Sequence, residues 1–128
     1  MPTHERVREY AAPLESGRND EALREFYTDD ALQRENQAEP RRGIATLIAH
    51  EERMLAAFTN LRFQVKSVLI DGDRVAIRYV FSGTTGGREI RQDEVALQRW
   101  VGDRITEEFF YYDPGQTRDA RPRKRTSA

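Results

Sequence analysis

The chain has 128 residues, 34% of them charged and 38% apolar, with a formal net charge of -1, which is the length of one domain. It contains no cysteine, and its only histidines are His4 and His50, which excludes disulfides, thiolate chemistry and a His/Cys zinc site. Residues 1–6 are charged and have no apolar run behind them, so neither a signal peptide nor a spanning helix is expected and a cytoplasmic location is the default.

The first apolar stripe is Val7, Tyr10, Ala11 and Leu14. Its i, i+3, i+4, i+7 spacing predicts a helix over 3–16, ended by Gly17 and kinked or shortened at Pro13, which lacks an N–H. Asn19 or Asp20 caps a second short helix with Ala22, Leu23 and Phe26 on one face, and Asp29-Asp30 ends it. Residues 31–37 read as a short strand and 39–43 as a loop. A third helix is expected over 43–58, with Ile44, Leu47, Ile48, Met54, Leu55 and Phe58 on its stripe and Glu51 interrupting it.

After Asn60 the period changes to two. Leu61, Phe63 and Val65 alternate with Arg62, Gln64 and Lys66, as in a half-buried strand. Asp71-Gly72-Asp73 signals a hairpin, and Val75, Ile77, Tyr79 and Phe81 form the next alternation. A turn at 83–87, a long strand over 88–100, a turn at 101–103 and a last strand over 104–112 complete the pattern. Helices followed by a meander of four long strands give an α+β class. Residues 1–113 form a single domain, and 114–128 read as a basic, flexible tail. In that tail Arg118, Arg121, Arg123, Lys124 and Arg125 oppose only Asp119, roughly +4 against about -5 for the body. No aromatic residue stands among these cations to stack a base, so no nucleic-acid partner is expected.

Several local strings carry a resemblance. They are Tyr10-Ala11-Ala12-Pro13-Leu14-Glu15-Ser16-Gly17 followed by Asp20, then Phe26-Tyr27-Thr28-Asp29-Asp30-Ala31, and Gly43 opening the long helix. Further on come Asp71-Gly72-Asp73-Arg74-Val75-Ala76, Ser82-Gly83-Thr84, Gly102-Asp103-Arg104-Ile105-Thr106-Glu107 and Tyr111-Tyr112-Asp113-Pro114. In this order, over roughly 4–114, the chain resembles the NTF2-like superfamily in its SnoaL-like and ketosteroid-isomerase branch. The resemblance implies a cone of three N-terminal helices on a strongly curved, mostly antiparallel sheet around a pocket. It names no single reaction, because the fold hosts many.

The resemblance also implies site residues. Tyr10 matches the isomerase tyrosine that donates to the substrate oxyanion. Glu35, eight residues after Tyr27, falls where the isomerase general base stands. The third isomerase group, a protonated aspartate, is matched by Ala96, so the likeness does not extend to ketosteroid isomerase activity itself. Epoxide-hydrolase relatives need an Asp-Arg-Asp set where this chain has Tyr79, Phe81 and Phe110, which disfavours that reaction too. Glu51 falls where a second isomerase tyrosine bonds the first, so a Glu51–Tyr10 contact is expected.

Strand alternation supplies the remaining candidates. If the Ala96 face points inward, Gln92, Glu94, Gln98 and Trp100 share it, and Glu108, Phe110 and Tyr112 face in from the last strand beside Tyr79 and Phe81. The opposite phase would put Val95 and Leu97 inward. Two readings of function follow. One is a cofactor-independent enzyme moving a proton on a small hydrophobic or carbonyl-containing ligand, in a cyclisation, isomerisation or dehydration. The other is a non-catalytic binding or interaction module. The resemblance implies a homodimer through the sheet face, and no metal, organic cofactor or membrane partner.

Overall fold

The computed structural model describes residues 1–118. In chain order the elements are α1 (His4–Glu15), α2 (Asn19–Phe26), β1 (Tyr27–Glu35), β2 (Arg41–Arg42), α3 (Ile44–Ala57), β3 (Thr59–Asp71), β4 (Arg74–Thr85), β5 (Arg88–Val101), β6 (Arg104–Tyr111) and α4 (Gly115–Arg118). The helices lie on a curved six-stranded sheet of order β2-β1-β6-β5-β4-β3. It is antiparallel except where β1 runs parallel to β6. Among the described residues, no helix is long and apolar enough to cross a membrane.

Helix α1 forms where its stripe predicts, with Val7, Tyr10, Ala11 and Leu14 buried. Thr3 caps it by accepting the Arg6 N–H at 3.0 Å. Pro13 sits in the last turn and does not stop the helix, which runs two residues further to Glu15. Helix α2 ends at Phe26, earlier than Asp29-Asp30 suggests, and the chain passes directly into β1. Phe26 is 1% and Tyr27 3% exposed, so one aromatic closes the helix face and the next opens the strand. Asp29 and Asp30 are exposed within an irregularity between Tyr27 and Leu32, where the register against β6 shifts.

The sheet has six strands where the alternation suggested four long ones after α3, with a short strand before it. The loop expected at 39–43 contains β2, whose two arginines pair antiparallel with Leu32 and Gln33. Gly43 then turns the chain into α3 with φ +88°, a region open to glycine at little cost. The expected tail from Pro114 begins with α4. There the Gln116 amide accepts the Asp93 N–H at 2.9 Å and donates to the Asp93 carbonyl at 3.1 Å. Residues 119–128 lie outside the described residues.

Strand β5 takes the phase that points Ala96 inward. Ile90, Gln92, Glu94, Ala96, Gln98 and Trp100 are buried, whereas Val95 and Leu97 are exposed. Two apolar clusters form under the sheet. The larger joins α1, α2 and Leu47 of α3 to Val75, Ile77, Trp100 and Ile105. The smaller is Phe63, Phe81 and Ile90, with Met54, Phe58, Leu61 and Tyr79 against it.

Candidate functional site

A cavity of about 270 Å³ lies between α3 and the concave face of the sheet. The smaller apolar cluster contributes Met54, Phe58, Phe63, Phe81 and Ile90 to its wall. Polar side chains complete it: Glu35 and Gln33 of β1, Arg41 of β2, His50 and Glu51 of α3, Gln92 and Glu94 of β5, and Asn19 of α2. Behind it lies a second cavity of about 40 Å³, lined in part by Tyr10, Tyr27 and Glu108. Asn19, Gln33, Glu51, Phe63, Tyr79 and Phe110 line both.

The carboxyls of this region have different surroundings. Glu35 accepts from Arg41 at 2.6 Å and from the Tyr112 hydroxyl at 2.8 Å, with His50 Nε2 at 3.6 Å. Burial pushes its carboxyl up, but these partners outweigh burial and hold it below the ordinary value. His50 is pushed down by burial and by Arg41, so it is neutral near pH 7.

Glu108 is 1% exposed and accepts four hydrogen bonds. Tyr27 Oη and Gln33 Nε2 (2.8 Å) reach one oxygen, and Gln98 Nε2 (2.6 Å) and Tyr10 Oη (3.3 Å) reach the other. The Trp100 indole donates to Gln98 Oε1 at 3.0 Å, which fixes the amide so that its nitrogen faces Glu108. Burial still raises the Glu108 carboxyl above the ordinary range, against the pull of these donors. Burial and then the Glu108 charge push Tyr10 and Tyr27 well above 10, so both keep their protons and act as donors.

Glu51 and Glu94 share the larger cavity, and among the described residues neither has a cation within ion-pair distance. Burial raises each to about 7. Glu94 is held as an acceptor by Gln92 Nε2 at 2.7 Å, with Tyr79 also favouring its charged form. Asn19 stands beside Glu51 and favours its charge. Asn19 is 5% exposed, and its Oδ1 has no hydrogen-bond partner. A buried acceptor left unpaired costs about 1–3 kcal/mol. Among the described residues no three His, Cys, Asp or Glu side chains are grouped to hold a metal ion.

Of the residues that sequence reasoning proposed for a site, Glu35, Glu51, Tyr79, Phe81, Glu94, Phe110 and Tyr112 line the larger cavity. Tyr10 and Glu108 line only the smaller one, so Tyr10 and Glu35 face different cavities. Gln98 and Trp100 line neither. They are 0% and 1% exposed and hold Glu108 from beneath, with the indole edge-on to the Tyr10 ring at 6.1 Å. For the expected Glu51–Tyr10 contact, both residues line the smaller cavity, but no hydrogen bond joins them among the described residues, where the Tyr10 hydroxyl bonds Tyr27 and Glu108.

Other wall residues escaped the reading. Asn19 was read only as a cap, yet it sits on the same stripe as Ala22, Leu23 and Phe26, and all four are buried. Gln33 alternates with Ala31 and Glu35 along β1, a period-two signal that was available. Arg41 and His50 carried no local signal, since β2 becomes visible only through its pairing with β1.

A model of the SnoaL-like domain matches residues 7–108. No curated protein matches the chain. Among solved structures, the chain is similar to a ketosteroid isomerase-like protein from Catenulispora acidiphila, crystallised with trimethylamine (23% identity, 92% of each chain, TM-score 0.78). It is also similar to a candidate SnoaL-like polyketide cyclase from Jannaschia sp. CCS1 (18% identity, 94% of each chain, TM-score 0.80). A third is TsrD from Streptomyces laurentii (16% identity, 94% of this chain and 97% of that one, TM-score 0.80). At these identities the likeness speaks for the fold.

Proposed function

We propose, from the premise that the chain belongs to the SnoaL-like domain family within the NTF2-like superfamily, that its larger cavity moves a proton on a small carbonyl compound. The observation that carries this reading is that Glu51 of α3 and Glu94 of β5 line one cavity, beside several aromatic rings, with no cation within ion-pair distance among the described residues and each raised to about 7. A carboxyl with that value is present as both acid and base at neutral pH, which is where general acid–base catalysis is most effective.

In this reading Glu94 is the base. Its carboxylate takes a proton from the carbon next to the carbonyl, so the C–H bond breaks, an O–H bond forms on Glu94 and the electron pair passes to the carbonyl oxygen. Protonated Glu51 donates a hydrogen bond to that oxygen as charge develops. Returning the proton to a different carbon is an isomerisation. Attack of the enolate carbon on a second carbonyl of the same ligand, with the proton passed to the new alkoxide, is a cyclisation. Likeness to a candidate polyketide cyclase makes ring closure the first variant to test. Glu35 is the poorer base, because Arg41 and Tyr112 hold it as an anion. Tyr10 braces Glu108 and does not face the ligand.

Exchange of the α-protons of 2-tetralone for deuterium, followed by NMR, tests the step. The wild type should accelerate exchange over buffer, and Glu94→Gln should lose about 100-fold or more, with a much smaller loss for Glu35→Gln. Exchange no faster than in buffer, or undiminished in Glu94→Gln, counts against the assignment.

A second reading rests on the opposite face of the sheet. Leu69, Ala76, Leu97 and Phe109 lie side by side across β3, β4, β5 and β6, and Leu69 is 72% exposed. Val95 and Tyr111 form an adjacent exposed pair. A contiguous apolar row on a curved outer face suits a second copy of the chain across a two-fold axis.

A further inference from the structure

We propose that the larger cavity recognises a primary or secondary ammonium group carried on a small apolar body. The inference rests on reading this cavity as the ligand site, and it concerns the state in which Glu51 and Glu94 are both ionised, not the one with Glu51 protonated that serves proton transfer to a carbonyl compound.

The first argument is the balance of charge on the walls. Among the described residues, five ionisable groups other than tyrosines line the cavity: Glu35 from β1, Arg41 from β2, His50 and Glu51 from α3, and Glu94 from β5, with Glu108 of β6 behind them. Among the described residues Arg41 is the one permanent cation in the lining, and it is already committed, bonding Glu35 at 2.6 Å and Gln33 at 3.2 Å. His50 is neutral. Two carboxyls are therefore in surplus, and an anionic ligand would add to that surplus. An entering cation removes it and restores the ionised form that burial disfavours.

The second argument is independent of charge. Asn19 lines the cavity, and its Oδ1 is buried with no hydrogen-bond partner among the described residues. A ketone, a carboxylate or a quaternary ammonium brings no hydrogen to it. An N–H of a primary or secondary ammonium does, and a primary one keeps two further hydrogens for Glu51 and Glu94, a secondary one a single hydrogen. Three acceptors of this kind match the donors of one –NH₃⁺ group.

The third argument concerns the rest of the wall. Phe58 stands edge-on to Phe81 with centroids 6.1 Å apart, and Phe63 is tilted against Phe81 at 5.5 Å. Such rings offer apolar surface to the body of the ligand and π faces to its charged end. The volume of about 270 Å³ falls below the roughly 300–1,000 Å³ of drug-sized sites, so the body is small.

Four probes of one shape, titrated calorimetrically into the full chain at pH 8, decide the matter: benzylammonium, benzyltrimethylammonium, benzyl alcohol and benzoate. Benzylammonium should bind tightest, by about tenfold over the trimethylated cation and the alcohol, and benzoate should not bind. The double variant Glu51→Gln, Glu94→Gln should lose about tenfold or more for benzylammonium alone. Asn19→Leu should narrow the gap between benzylammonium and its trimethyl analogue. Each variant is first shown to unfold cooperatively, so that lost binding is not lost folding. Affinity should rise by up to about tenfold from pH 6 to 7 and flatten above 8, with protons released on binding at pH 6.5.

Equal affinity for the alcohol, tighter binding of benzoate, undiminished affinity in the double variant, or no binding by any probe each overturns the proposal. The two readings of the cavity fail separately. Loss of 2-tetralone exchange in Glu94→Gln without ammonium binding leaves proton transfer standing and removes the cation site. Selective ammonium binding without exchange does the reverse.

Discussion

Glu94→Gln should make the protein more stable at high pH, and the size of the gain follows from where Glu94 lies. Its carboxyl is 6% exposed and raised to about 7 from the ordinary 4.5. Burial is the main cause, and the charges of Glu35 and Glu108 add to it, while Tyr79 and Gln92 oppose it. A carboxyl raised in the folded state binds its proton more tightly there than in the unfolded chain. Its contribution to stability is therefore complete below about pH 4.5 and is lost as pH climbs through 7. The difference between 7 and 4.5, at 1.36 kcal/mol per pH unit, is about 3 kcal/mol. Glutamine has no proton to lose and keeps an oxygen to accept from Gln92. Part of that difference is already lost at pH 5, so the stability of the variant relative to wild type should improve by about 2–3 kcal/mol between pH 5 and pH 8.5. Urea unfolding at the two pH values, with the slope checked for constancy, measures it. A relative stability that is the same at both pH values within about 0.5 kcal/mol would show that Glu94 ionises normally, and the acid–base proposal would lose its footing.

Three further outcomes are expected. Tyr27→Phe removes a donor from the fully buried Glu108 and should cost about 1–3 kcal/mol in urea unfolding, the loss growing as pH rises above 4.5 and Glu108 ionises, because the hydroxyl supports the charged form; a loss that does not grow with pH would refute that role. Glu35 titrates below the ordinary value, so its support for the fold is present above about pH 4.5 and lost as pH falls through the folded value; Glu35→Gln should be less stable than wild type at pH 7, by a margin that shrinks as the solution is acidified below pH 4.5. Leu97→Glu places a charge in the middle of the outer apolar row and should convert a dimer to a monomer in size-exclusion chromatography with light scattering, an idea that a monomeric wild type would end.

The fold was legible in the sequence because its long elements bury one face each. The 7, 10, 11, 14 stripe of α1 and the alternation along β4 and β5 are direct prints of burial. What escaped was local structure set by pairing. Strand β2 is two arginines, with no pattern of its own, and β1 begins at Tyr27 because the parallel register with Ile105 holds it there. The same distinction runs through the site. Glu94, Tyr79 and Phe81 were readable from strand phase. Trp100 and Gln98 shared that phase but lie farther along β5, Trp100 beyond the bulge between Arg99 and Trp100, and neither lines the cavity. Alternation tells which face a side chain takes, not how far along the cone it sits.

The four glutamates near the concave face show why residue type alone could not assign roles. Glu35 has a cation and a phenol, so it stays charged and serves as an anchor for Arg41. Glu108 has four neutral donors and no cation, so it is satisfied without being reactive. Its partners come from α1, β1 and β5, which makes it a tie between the helical layer and the sheet. With Glu35 and Glu108 occupied, the proton affinity left to use lies with Glu51 and Glu94, which have fewer partners than their charge demands. An active carboxyl must retain unmet demand, because a fully partnered one gains little from meeting a ligand. By that criterion the cavity end holding Glu51, Glu94 and the unpaired Asn19 oxygen is where a ligand would gain most. The better-bonded Glu108, which accepts from Tyr10, the residue matched to the isomerase oxyanion donor, is structural support for it.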